Sequence, residues 1–147
     1  MNAKTMWNQF IQTKSVDNAH YQAWAFGDDS DALAQLVCAG IKTATASALD
    51  VYEYEHEPLP QCGDYSMILN SQGEAQCIIQ TTAVNIVPFA QVSALHAYKE
   101  GERDRSLASW RTIHEAFFTK ELSAIQRTFH PDMMVVCEEF QVVYPLK

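Results

Sequence analysis

Positive charge is scarce in this 147-residue chain: ten lysines and arginines face eighteen aspartates and glutamates, for a formal net charge of −8 and a pI near 4.9. That sign argues against a protein that grips long duplex DNA through a run of phosphate contacts. It leaves room for a local basic patch, or for a nucleoside pocket that meets no phosphate chain. Also missing is any apolar run approaching the ~20 residues of a transmembrane helix, so no membrane partner is expected. The first twelve residues are polar, with Met6, Trp7, Phe10 and Ile11 interspersed. They read as an amphipathic helix and not as a signal peptide, which makes a cytoplasmic protein the expectation. Cys38, Cys62, Cys77 and Cys137 lie far apart with no Cys-x-x-Cys pair, so free thiols are favoured over disulfides or zinc. The histidines stand alone, and the one local cluster, His56 among Glu53, Glu55 and Glu57, matches no metal-ligand spacing. No metal and no cofactor are implied. Repeats, low-complexity tracts and linkers are absent too, so residues 1–147 read as one domain, with 1–19 as an N-terminal helical extension.

What is present alternates between helical and extended patterns. After a turn at Asp17 and Asn18, His20 to Phe26 reads as a first strand, with Tyr21, Trp24 and Phe26 either in the core or lining a stacking pocket. Asp29 or Ser30 caps a helix from Asp31 to Ala39, on which Leu33, Leu36 and Val37 recur at helical spacing, and Gly40 ends it. Ala48 to Glu57 reads as a short acidic helix with Leu49, Tyr52 and His56 inward. Asp64 to Leu69 reads as a strand, Asn70 to Gly73 as a hairpin turn, and Glu74 to Val87 as a long strand, apolar on both faces as in a closed barrel. Pro88 opens a helix from Phe89 to about Lys99, which Gly101 ends. A helix from Ser106 to about Thr119 carries Leu107, Trp110, His114 and Phe117 on one stripe. Leu122 and Ile125 form a short separate helix, and Met134 to Tyr144 closes the chain as a central strand.

The chemistry concentrates in two places. Gly40-Ile41-Lys42-Thr43-Ala44-Thr45-Ala46-Ser47 runs from a helix cap into a small, hydroxyl-rich extended segment. Lys42 there is either a solvated helix-end lysine or, through a bend at the junction, a pocket ammonium beside the Thr45 hydroxyl. Glu100 ends a helix, where its charge is unfavourable unless it has a task. Arg103, Arg105 and Arg111 form the sole basic patch, able to contact a phosphate or simply to pair with Glu102, Asp104 and Glu115. Trp110 and His114 are core residues or, at a pocket mouth, a stacking platform.

The Gly40-x-Lys42-x-x-Thr45 run after a short helix, the Gly63-Asp64 turn and the His96-Ala97-x-x-Glu100 run resemble the ASCH family. The stretch from Glu100 to His114 is similar to its longer bacterial subgroup. The resemblance implies an α+β fold, a PUA-like β-barrel of mixed strands flanked by α-helices. It also implies a nucleoside or short single-stranded RNA as ligand. One member of known activity removes the acetyl group of N4-acetylcytidine with a lysine, a threonine three residues on, and a glutamate, which correspond here to Lys42, Thr45 and Glu100. On that pattern Thr45 is the nucleophile, Lys42 its base, and Glu100 a group that positions water or protonates the cytosine nitrogen. Other members bind or cut RNA, so a noncatalytic RNA module and a ribonuclease stand as alternatives. The family pattern has an arginine where this chain has Ser47.

Overall fold

The computed structural model describes residues 1–14 and 20–146. The turn expected at Asp17 and Asn18 lies outside the described residues. Five helices, α1 (Ala3–Thr13), α2 (Ser30–Cys38), α3 (Leu49–Glu55), α4 (Ala94–Glu100) and α5 (Leu107–Ala124), surround five strands. The strands are β1 (Gln22–Trp24), β2 (Ala44–Ala48), β3 (Tyr65–Leu69), β4 (Ala75–Pro88) and β5 (Met134–Tyr144). They form one sheet in the order β1-β3-β4-β5-β2, curled into a half-barrel. β1 runs parallel to β3 and every other pair is antiparallel, so the expected mixture of strands is realised. The barrel is a half-barrel because β1 and β2 are its two edges.

Each helix covers the part of the sheet that its apolar stripe can match. α1, capped by Asn2 whose Oδ1 accepts from the Thr5 amide at 2.8 Å, buries Met6, Trp7 and Phe10 against Met67 and Ile78. α2 buries Ala34 and Val37 against Ile68, Cys77, Ile79 and Phe140. The first half of β4 is thus covered on both faces, Ala75 and Ile78 packing with α1 and Cys77 and Ile79 with α2. From Thr82 onward that cover is lost, and Ile86 is 38% exposed. α4 and α5 pack on β5 and the end of β2 through Ala97, Trp110, Phe118, Leu122, Val135, Cys137 and Ala48.

Four local expectations need correction. The helix expected from Phe89 to Lys99 is a single 3₁₀ turn, Phe89–Gln91, followed by α4, because Val92 is extended and buried and the Ser93 side chain caps a fresh start by accepting from the His96 amide at 3.0 Å. Leu122 does not begin a separate helix. It continues α5, whose buried stripe steps by four through Trp110, His114, Phe118 and Leu122. Phe118 therefore takes the fully buried place expected for Phe117, which is half-buried. His56 is exposed and ends α3 in a left-handed conformation rather than facing inward. Cys62, Cys77 and Cys137 are free thiols, as expected, with Cys77 and Cys137 buried and Cys62 exposed.

Candidate functional site

Two glycines bring the lysine and the glutamate together. Gly40, at φ +76°, ends α2 in the left-handed region, and the Ile41 and Lys42 amides both return to the Leu36 carbonyl, at 3.0 and 3.1 Å. The chain then passes against the end of α4, where the Thr43 amide donates to the Lys99 carbonyl at 2.7 Å. Gly101, at φ +72°, permits that approach: a Cβ there would stand 2.7 Å from the Ile41 carbonyl oxygen. Arg105 fastens the same crossing, donating to the carbonyls of Tyr98 at 2.9 Å and Ile41 at 3.4 Å while its guanidinium lies 3.7 Å from the centre of the Tyr98 ring.

The result is a buried ion pair. Lys42 is 2% exposed and Glu100 1%. Lys42 Nζ lies 3.1 Å from Glu100 Oε1 and 2.9 Å from Glu102 Oε2. Glu100 Oε2 accepts from Trp110 Nε1 at 2.6 Å and meets His96 Nε2 at 2.8 Å. His114 places its Nε2 3.5 Å from Oε1 and donates from Nδ1 to the Trp110 carbonyl at 2.9 Å, its ring stacked on the indole at 4.2 Å. Burial by itself would raise the Glu100 carboxyl, but Lys42, with His114 and His96, overrides it and holds the group well below the usual carboxylate range. Glu100 is therefore a fully engaged anion. Charges this deep persist only when so surrounded, because each loses several kcal/mol, at least about 3, of hydration on burial.

Lys42, Glu100, Glu102 and His114 wall a small cavity of about 100 Å³ together with Thr45. Carboxylate oxygens of Glu100 and Glu102 and a nitrogen of His114 lie within 4.8 Å of one another, close enough for one cation. The Lys42 ammonium contacts both carboxylates, so it already supplies the positive charge a metal would bring.

Thr45 also opens onto a larger cleft of about 680 Å³ on the inner face of the sheet, shared with Phe26, Gly27, Ala46 and Phe117. Tyr21, Trp24, Tyr52 and Tyr65 supply its aromatic surface. Glu55, Glu57, Asp64, Glu121 and Glu138 line it, and among the described residues no lysine or arginine does. Ser47, where the family arginine would stand, hydrogen-bonds to the Tyr52 hydroxyl at 2.9 Å. Glu138 is 7% exposed, and its Oε2 accepts from Thr81 Oγ1 at 2.6 Å. Burial raises its carboxyl above the ordinary value, the Thr81 bond offsets part of that, and Asp64 adds to it. Glu121 is raised in the same sense, by burial and then by Glu55.

Of the residues singled out in the sequence, Lys42, Glu100, Trp110 and His114 meet in one hydrogen-bonded group, and Thr45 lines the cavity beside it. Trp110 is 4% exposed, so it holds Glu100 rather than presenting a stacking face. The three arginines line neither cavity. Instead of pairing with Glu102 and Glu115, Arg105 and Arg111 donate to backbone carbonyls, Arg111 to that of Ala90 at 3.0 Å, and Glu102 pairs with Lys42. Arg103 is exposed in a left-handed turn at φ +54°. Sequence reasoning missed Glu102 and Glu138. The signal for the second was Glu138-Glu139 inside an otherwise apolar strand, where a period of two must send one carboxylate inward.

Residues 22–144 match the sequence model of the ASCH domain. The ASCH domain from Lactobacillus crispatus JV V101 superposes with a TM-score of 0.91 at 32% identity, over 96% of this chain and 93% of that one. Protein EF3133 from Enterococcus faecalis V583 superposes with a TM-score of 0.89 at 40% identity, over 97% of this chain and 88% of that one. The hypothetical protein PH0355 shares the fold alone, at 12% identity and a TM-score of 0.58 over 84% of this chain and 100% of its own. No curated protein matches. Among the described residues no helix is long and apolar enough to cross a membrane.

Proposed function

The chain belongs to the ASCH domain family, and from that premise we propose that it is an amidohydrolase acting on a small acylated nucleoside of the N4-acetylcytidine type, through Lys42, Thr45 and Glu100. One observation carries the reading: the Lys42 and Glu100 head groups, 58 residues apart in sequence, meet at 3.1 Å in a buried site whose cavity Thr45 also lines. An ion-paired ammonium is a donor. Lys42 is thus suited to stabilise the oxyanion that develops when the Thr45 hydroxyl attacks the acyl carbon. The Thr45 proton passes to the Lys42 and Glu102 pair and ends on the Glu102 carboxylate, the less buried of the two acids. Glu100, held ionised by its donors, fixes the lysine in place. The carbon–nitrogen bond then breaks, the amine departs with a proton, and water frees Thr45 from its ester.

Compared with an RNA strand, the cleft favours a nucleoside. Five carboxylates line it and, among the described residues, no lysine or arginine does, which disfavours phosphate, and Arg103, Arg105 and Arg111 lie elsewhere. Incubation with N4-acetylcytidine tests the proposal, with Lys42→Ala as control and chromatography of released cytidine as the readout. Cytidine above the variant's background is expected; none would remove the reading. Tight, steeply salt-dependent binding of a short RNA would instead favour the noncatalytic module, and chelator-sensitive cutting of that RNA the ribonuclease.

A further inference from the structure

Amide hydrolysis needs a proton for the departing nitrogen, and the residue that sequence comparison would give this role has none to spare. Glu100 has both oxygens engaged, one by Trp110 and His96 and the other by Lys42 with His114 close by. Glu138 differs in each respect. Its Oε2 is held by Thr81, while Oε1 has no hydrogen-bond partner among the described residues. No fully buried side-chain oxygen there is left without a partner, so Oε1 must reach the cleft that Glu138 lines. Glu138 stands directly opposite Thr45 across the antiparallel pairing of β2 with β5. Such cross-strand neighbours have Cβ atoms about 5 Å apart, so a single planar amide spans them. Glu139, by contrast, is paired with Lys99 at 2.6 Å.

We infer that Glu138, rather than Glu100, holds and protonates the leaving nitrogen of the substrate, in a cleft that accepts unphosphorylated ligands. This rests on the amidohydrolase reading above. Thr45 Oγ bonds to the acyl carbon and its proton goes to the Glu102 carboxylate. The carbon–nitrogen bond breaks while the Glu138 carboxyl gives its proton to the nitrogen, and the free amine leaves. Water then gives a proton to the Glu138 carboxylate as its oxygen bonds to the acyl carbon, and Thr45 departs with the proton returned from Glu102. Protons balance over the cycle, and the net change is amide plus water to acid plus amine. The division of labour follows from surroundings: a carboxyl encircled by donors is held toward its anion, and one in a poorly solvated wall near another acid is shifted toward its protonated form. Around Glu138 those neighbours are Thr81 and Asp64, and the Tyr52 hydroxyl feels both Glu138 and Glu121.

The test compares two substrates in the full chain. N4-acetylcytidine has a poor leaving group, whereas 4-nitrophenyl acetate releases a phenolate that needs no proton. Glu138→Gln is expected to lower kcat/KM for the amide by about a hundredfold or more, the range general acids supply, while changing kcat/KM for the ester, which reports acylation alone and not the later water step, less than about threefold. Glu138→Asp, which keeps the acid at shorter reach, should fall between. Cytidine 5′-monophosphate should inhibit wild type at least about tenfold more weakly than cytidine, as like charges in a shared cleft require. Equal losses on amide and ester, an amide rate unchanged in Glu138→Gln, or equal inhibition by nucleoside and nucleotide would each overturn the inference. Amide cleavage insensitive to Glu138 would leave the amidohydrolase reading standing. An amide that wild type does not cleave would end both. Melting curves and the retained ester rate establish that the variants are folded.

Discussion

Removing the lysine from its buried pair is the most demanding perturbation this structure defines. Lys42→Met fills a similar volume without charge and leaves Glu100, 1% exposed, with no cationic lysine, and Glu102 without its partner. Breaking a buried pair by deleting one member costs about 3–5 kcal/mol. Trp110 and His96 still donate to Glu100 Oε2, which argues for the lower end, about 3 kcal/mol. For a domain of this size each kcal/mol moves Tm by about 2–4 °C, so a fall of roughly 6–12 °C is expected. Glu100→Gln should cost less, about 1–2 kcal/mol, because Lys42 keeps Glu102 at 2.9 Å. The pH dependence follows from the sign of each shift. In wild type the Glu100 carboxyl is depressed, so its stabilisation is present above the unfolded value near ~4.3 and is lost as pH falls through the lower folded value. In Lys42→Met only burial and the remaining donors act, and burial raises that carboxyl. The variant is then least handicapped in acid and loses ground as pH rises. Urea denaturation of both proteins between acid and mildly alkaline pH should show a gap that opens above about pH 4–5. A gap under about 1 kcal/mol near neutrality, a gap indifferent to pH, or a Glu100→Gln variant less stable than Lys42→Met would refute the reasoning.

The crossing of the two glycine-ended helices predicts an asymmetry. Gly101→Ala meets both a left-handed backbone and the Ile41 carbonyl at 2.7 Å, whereas Gly40→Ala, at φ +76°, has nothing within 4 Å of its new Cβ. Thermal unfolding should therefore show Gly40→Ala costing about 1 kcal/mol and Gly101→Ala clearly more, with loss of activity in the second as Lys42 shifts. Phe118→Ala, at a fully buried site, should cost about 3–5 kcal/mol by chemical denaturation, and Phe117→Ala, on the wall of both cavities, should raise KM with a smaller change in stability. Glu102→Gln should reduce kcat while leaving Tm within a few degrees, since its side chain is 21% exposed and Lys42 retains Glu100.

Local pattern and local chemistry settled much of this protein without any coordinates. The helix capped by Asp29, the left-handed glycines at positions 40 and 101, the Asn70 to Gly73 turn and the closing strand from Met134 to Tyr144 all follow from side-chain period and backbone freedom over a few residues. The sequence also marked Glu100 as a charge in an unfavourable place, and left Lys42 as either a solvated helix-end lysine or a pocket ammonium. Two kinds of question depended on the folded chain. Whether those charges faced water or one another turned on how closely the backbone at Ile41 can pass Gly101, a contact between segments 60 residues apart. Which carboxyl is pushed toward its anion and which toward its neutral form turned on what surrounds it: Glu100 lies among four polar partners, and Glu138 lies in a wall with Thr81 on one oxygen and a cleft before it. A carboxyl's ionisation is set by solvation and neighbouring charge within a few ångströms, and those neighbours come from α4, α5, β4 and the segment between α2 and β2, which only the packed structure assembles.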